Sequence, residues 1–186
     1  MSFLYKKKNH VQLPPGLYRA MLALFILLFF PLFEGWAQGN YAIQANIIYR
    51  FTKYVNWPNE KKAEDFVIGI VGDTPLYDEL THFTANKTAG GRPIVVKKYS
   101  ASASSYNCQI LFISDEESSS IKRIATSTSG MPTLLVSESE GVARKGSCIN
   151  FVTVDDHLKL EINKTAIEKR TLDIATELLS LGVIVK

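Results

Sequence analysis

The sequence predicts one α/β domain: a three-layer arrangement with a mostly parallel five-stranded sheet, helices on both faces and a C-terminal β-hairpin extension. Three observations predict it. From residue 41 onward, short continuous apolar runs alternate with amphipathic segments. Glycine, proline, asparagine or aspartate punctuates the runs, and the last two are separated only by a tight turn. Of the 186 residues, 46% are hydrophobic and 21% charged, which excludes a disordered, collagen-like or disulfide-scaffold chain.

The first segment stands apart from this pattern. Lys6, Lys7, Lys8 and Arg19 precede an uncharged apolar run from Ala20 to Phe33, and Gly35 and Ala37 place small residues where a signal peptidase cuts. These are the three parts of a secretory signal peptide, with cleavage expected after Ala37. The apolar run is short for a membrane span of about 20 residues, and Pro31 interrupts it. An uncleaved anchor is the alternative. The formal net charge of +3 belongs to this leader, which holds four basic residues and Glu34; residues 38–186 are charge-balanced. Net charge therefore draws the mature domain neither to nucleic acid nor to a lipid surface.

In the mature region, Ile43, Ile47, Phe51 and Tyr54 recur at helical spacing, which predicts a helix over Tyr41–Trp57 capped by Asn40 and ended by Pro58. Phe66–Val71 is a first strand. Thr74-Pro75 opens a short helix to about Phe83. After the Gly90-Gly91 turn come strands over Pro93–Lys98, Cys108–Ile113, Thr133–Val136 and Cys148–Val154, with a helix over Glu116–Ala125. Asp155-Asp156-His157 reads as a turn, followed by the alternating strand Leu158, Leu160, Ile162 and a final helix over Lys164–Gly182.

Nucleophilic catalysis of the Ser-His-Asp or Cys-His kind needs a histidine near the nucleophile, and the mature region holds only His82 and His157, both on generic surface positions. No hydrolase, zinc or dithiol motif is present in the sequence, and no catalytic role or cofactor is expected. Asp73 and Asp115 follow strands and, with Ser137 and Glu138, belong at the carboxyl edge of the sheet, where open α/β sheets bind ligands. Helix capping is the plainer role for the two aspartates. A small-ligand site at Asp73, Asp115 and Ser137 is the alternative. Asn46, Arg50, Lys53 and Trp57 fall at i, i+4, i+7 and i+11 of the first helix, a strip separate from the apolar stripe, and form a candidate partner-binding surface. Asn163-Lys164-Thr165 matches a glycosylation pattern but reads as the hinge between strand and helix.

Four segments resemble the YfiR family, DUF4154: ANIIYRFTKYVNWP over Ala45–Pro58, FVIGIVGD over Phe66–Asp73, CQILFIS over Cys108–Ser114, and Gly146–Asn163 with its LEIN ending. Leu172–Leu181 is similar to the family's closing helix. Glu168-Lys169-Arg170 is more charged than the family pattern at that place. The resemblance implies a periplasmic, non-catalytic regulator. It would bind the periplasmic sensor region of an inner-membrane signalling protein, a diguanylate cyclase or a histidine kinase, and restrain it. It also implies a homodimer and no membrane insertion after the leader is removed. In a 2-1-3-4-5 strand order, Cys108 and Cys148 start strands separated by a third, about 9–10 Å apart, beyond the roughly 7 Å a disulfide spans. Another hairpin order would bring them within reach.

Overall fold

The computed structural model describes residues 35–58 and 64–185, with side chains from residue 40. The proposed leader lies outside these residues except for its last three, which fall in the first helix. Residues from Gln38 onward cluster as one compact unit.

Helix α1 (Gly35–Tyr54) leads into a two-residue strand, β1 (Val55–Asn56). The helix starts before Asn40, which is therefore an interior residue and not the cap. Glycine and asparagine each lower helix propensity by no more than about 1 kcal/mol, so neither stops a helix that packs well. Strand β2 (Phe66–Val71) is followed by helix α2 (Leu76–Thr84). Thr74 Oγ1 accepts the Leu76 N–H at 3.3 Å, so threonine performs the capping that its place before Pro75 predicts. A hairpin of β3 (Thr88–Ala89) and β4 (Arg92–Tyr99) turns at Gly90 and Gly91, whose φ angles of 57° and 82° give the left-handed pair that a two-residue hairpin requires. Ser100–Asn107 forms turns and no helix.

Then follow β5 (Ile110–Ile113), a 3-10 turn over Asp115–Ser120, α3 (Ile121–Ser127) and β6 (Leu134–Ser137). After a 3-10 turn over Ala143–Lys145, β7 (Ile149–Val154) and β8 (His157–Asn163) form the expected hairpin. Its turn is Asp155-Asp156 alone, at φ 51° and 59°, and His157 already pairs with Val154. The chain closes with α4 (Lys164–Glu168), β9 (Asp173–Ile174), α5 (Thr176–Leu179) and β10 (Gly182–Val185).

The main sheet has eight strands among the described residues, in the order β10-β8-β7-β6-β5-β2-β4-β3. This corrects the expected five. The central β4-β2-β5-β6-β7 block is parallel throughout, the 2-1-3-4-5 order. β5 and β6 are buried at every position, as continuous apolar runs in a sheet covered on both faces must be. The additions are at the edges: antiparallel β3 beside β4, and β10 running parallel to β8. The expected single C-terminal helix is instead two short helices and two strands. Strand β9 pairs antiparallel with β1, and this contact draws Val55–Asn56 out of the helical path before Trp57. The glycosylation-like Asn163-Lys164-Thr165 is the hinge between strand and helix: Asn163 is buried, its Oδ1 accepts from Ala166 N at 2.9 Å and caps α4.

Candidate functional site: an apolar groove beside the first helix

Helix α1 carries more apolar surface than the core takes up. Its core side is Ala45, Ile48 and Phe51, all fully buried, with the Phe51 ring stacked on Phe151 at 6.5 Å. Of the stripe read from the sequence, only Phe51 belongs to this side. Ile43 is 52% exposed, and Ile47 and Tyr54 are half-buried. These three line a groove of about 600 Å³ that continues onto Leu158 and Leu160 of β8, Leu178 of α5 and Leu181. Leu181, at the lip of the groove, is 59% exposed.

Cations rim the groove. Arg50 and Lys159 line it, and the Arg50 Nε–H donates to Asn46 Oδ1 at 3.0 Å, which fixes the guanidinium along the helix. Asn46, Arg50 and Tyr54 are shared with a second hollow of about 310 Å³ that adds Tyr49, Lys53, Phe83 and Lys87. There Tyr49 and Phe83 meet edge to face at 5.8 Å. Lys87 Nζ lies 4.0 Å from the Phe83 ring centre, and Lys53 Nζ 5.4 Å from that of Tyr49. Cation–π attraction holds the two ammonium groups over aromatic faces, Lys87 Nζ also donating to the Phe83 carbonyl at 2.7 Å, and among the described residues no carboxylate lines either hollow. The structure therefore brings Asn46, Arg50 and Lys53 together on one face.

Trp57 is elsewhere. It lies beyond β1, is 6% exposed, donates from Nε1 to the Gln109 carbonyl at 3.1 Å and packs edge to face on Phe66 at 5.1 Å. It lines a polar cleft of about 620 Å³ at the amino edge of the sheet, with Asp65, Lys97 and Gln109 among its other lining residues. The i+11 spacing breaks because the helix ends at Tyr54.

The carboxyl edge is built differently. Asp73 is exposed, with Lys98 Nζ at 3.5 Å, while Asp115 starts the 3-10 turn and points to solvent. Ser137 is buried: its Oγ lies 2.8 Å from Ser147 Oγ and 2.7 Å from Asn150 Oδ1. Asn150 Nδ2 in turn donates to the Ser139 carbonyl and to Glu161 Oε2, both at 2.9 Å. Glu138 bridges this edge to α1. It accepts from Gln44 Nε2 and from the Asp115 backbone N–H, both at 3.3 Å. Burial pushes its carboxyl pKa up, against these two hydrogen bonds and with a lesser push from Asp115. Gly72, at φ 93°, presses the end of β2 so closely on Ser114 that any Cβ would strike its hydroxyl. The three expected ligand residues thus share an edge, but Ser137 is engaged within the fold.

Cys108 and Cys148 are both buried and unpaired, on either side of β6, and burial pushes the Cys108 thiol up to about 12. The charged Glu168-Lys169-Arg170 is not wholly a surface feature. Arg170 is buried, and its guanidinium donates to the carbonyls of Ala125 and Thr128 at 3.4 Å, closing the C-terminal end of α3. Among the described residues no His, Cys, Asp and Glu cluster could hold a metal, and no helix is long and apolar enough to cross a membrane.

Sequence reasoning found the polar part of the α1 face and missed its apolar part. Five large apolar side chains within twelve residues (Ile43, Ile47, Ile48, Phe51, Tyr54) are more than one stripe can bury, and that surplus was the available signal. The fold is a mostly parallel α/β domain whose first helix leaves an apolar face open, with cations beside it. The chain belongs to the YfiR/HmsC-like family, DUF4154, whose family model matches residues 41–183. The family is regulatory rather than catalytic. No curated protein matches the chain.

Proposed function

We propose that this chain is an exported periplasmic regulator that binds the periplasmic sensor region of an inner-membrane signalling protein, a diguanylate cyclase or a histidine kinase, and restrains it. The observation that carries the reading is the open face of α1, where Ile43 and Leu181 stay more than half exposed beside Asn46, Arg50 and Lys53. An apolar patch held open in a well-packed domain is a cost in solubility that binding offsets. Restraint follows if this face fits the inactive state of the sensor better than the active one, because a ligand shifts an equilibrium only by its differential affinity. Moving a sensor from 1:99 to 99:1 in favour of the inactive state requires a preference of about 10⁴-fold.

Export is tested by the mass of the protein recovered from the periplasm, expected to begin at Gln38. Partner binding is tested by cross-linking in membranes. The wild-type chain should capture one inner-membrane signalling protein, and the Arg50→Ala, Lys53→Ala double variant should capture less of it. Recovery of no such protein, with a small metabolite raising the melting temperature instead, would favour a ligand-binding module at the carboxyl edge near Asp73 and Asp115. A homodimer is a further expectation, checked by sedimentation.

A further inference from the structure

The groove beside α1 has a shape and a charge pattern that select among partners. Its helix wall runs from Ala42 to Tyr54, about 18 Å at the rise of an α-helix. That length accepts about three turns of a second helix, the mode in which an amphipathic helix lays its apolar stripe between two walls. The floor is aliphatic, with Leu160 and Leu178 buried at its base and Ile43 and Leu181 exposed at its lip. The α1 flank carries Arg50, and the adjoining hollow adds Lys53 and Lys87. This flank is cationic and, among the described residues, neither lining includes an acid, although residues 38–186 as a whole are charge-balanced. The positive charge is therefore a property of this face.

We infer that the groove is the docking site for an acidic amphipathic helix of the partner, about twelve residues long, with apolar side chains at i, i+3 or i+4 and i+7 and carboxylates along the flank of that stripe that faces Arg50. This rests on the reading of the chain as a protein-binding regulator and names the chemistry of the segment bound. Carboxylates on that flank meet Arg50, whose fork is already oriented by Asn46, and the ammonium groups of Lys53 and Lys87. Rim charges of this kind set orientation and rejection of wrong partners more than affinity, and the apolar stripe supplies most of the hold. A membrane surface also offers apolar and anionic groups. The floor at Leu160 and Leu178 lies recessed between a helix and a strand, however, where a helix edge reaches and a flat bilayer does not.

The probe is a pair of fluorescently labelled, helix-stapled 14-residue peptides. They share a leucine stripe and carry either glutamate or lysine on the flank that is to face Arg50. Anisotropy titration with the protein purified from the periplasm should show the glutamate peptide binding roughly tenfold more tightly than the lysine peptide. The Arg50→Glu, Lys53→Glu variant should reverse that order. Ile43→Asp and Leu181→Asp, at exposed positions that leave the core intact, should weaken both peptides.

Equal binding of the two peptides, or binding indifferent to Ile43→Asp, overturns the inference. So does retention on phosphatidylglycerol vesicles that the same variants abolish while neither peptide binds, which makes the face a membrane contact. A dimer that Ile43→Asp and Leu181→Asp dissociate also overturns it, because the groove is then filled by a second copy. The underlying regulatory reading fails separately. If wild type and Ile43→Asp capture the same sensor equally, the groove is wrong and the regulator stands; if neither captures a sensor, the regulator reading falls whatever the peptides do.

Discussion

The carboxyl edge of the sheet and the α1 groove are both places where an α/β domain can meet a ligand, and they are built in opposite ways. At the carboxyl edge, several polar side chains face inward and bond to one another, Ser137 with Ser147 and Asn150, Asn150 with Glu161, Glu138 with Gln44, while Gln44 Oε1, Ser114 Oγ and Ser139 Oγ are buried there without a partner among the described residues. At the groove, apolar side chains face outward and lack enough neighbours to cover them. At the usual ligand edge of an open α/β sheet, Gln44 reaches across to Glu138 from the very helix whose other side forms the groove. One helix takes part in both places.

The largest expected effect separates the two sides of that helix. Phe51→Ala removes a fully buried ring stacked on Phe151 and should destabilise the fold by about 3–5 kcal/mol in denaturant unfolding. Ile43→Ala, two turns away on the groove side, should change stability by no more than about 0.5 kcal/mol. If Ile43→Ala costs as much as Phe51→Ala, the groove side is core, and the contrast between the two sites collapses.

A second substitution tests whether the carboxyl edge is structural. Asn150→Ala deletes the amide that joins Ser137, the Ser139 carbonyl and Glu161, leaving buried polar groups without partners. The expected cost is about 2–3 kcal/mol, read from the same unfolding curves. A ligand site often behaves in the opposite sense, because residues held for function carry strain that their replacement relieves. Unchanged or increased stability in Asn150→Ala would return the carboxyl edge to candidacy as a binding site.

Trp57 gives a smaller effect. In Trp57→Phe the aromatic contact with Phe66 is kept and the hydrogen bond to the Gln109 carbonyl is lost, so the expected loss is about 1 kcal/mol. Under the same change the glutamate peptide should bind the groove as before, since Trp57 lines the amino-edge cleft and not the groove. Altered peptide binding would join the tryptophan to the docking face after all.

How much of this the sequence discloses depends on the range of the contacts involved. The five parallel strands and the β7–β8 hairpin are legible because apolar runs such as Ile110–Ile113 and the Asp155-Asp156 turn are local signals. The end of α1 is not legible. Tyr54 and Trp57 keep helical spacing, and what ends the helix is pairing of Val55 with Ile174, more than a hundred residues away. The same pairing splits the expected C-terminal helix, since Leu172, Ala175, Leu178 and Leu179 have helical spacing while Asp173–Ile174 is held as a strand. Thr171, at φ 56°, is a β-branched residue in a conformation that local preference would refuse. The site divides along the same line. Asn46, Arg50 and Lys53 are neighbours on one helix and can be read together, whereas the groove needs Leu158, Leu178 and Leu181 brought to that helix by the fold.

The smallest effect concerns Glu138, where the closed edge meets α1. Its carboxyl pKa is raised chiefly by burial, so the folded state holds the proton more tightly than the unfolded chain does. Between the unfolded value, about 4.3, and the raised folded value, the folded state binds more protons, and stability falls as pH rises through that window. Glu138→Gln makes the side chain permanently neutral. Its amide oxygen can still accept the Asp115 N–H, and once the Gln44 amide turns over its NH₂ can donate to Gln44 Oε1, which in the observed orientation has no partner among the described residues. The variant and the wild type should therefore be close in stability near pH 4, with the variant more stable by pH 8 and its stability–pH curve flatter across the interval. Equilibrium unfolding at a series of pH values measures both. Should the variant instead be less stable at pH 8, the negative charge is doing something for the fold or for a bound cation. The edge beneath Gln44 would then be a charged site held shut, and not the sealed counterpart of the groove.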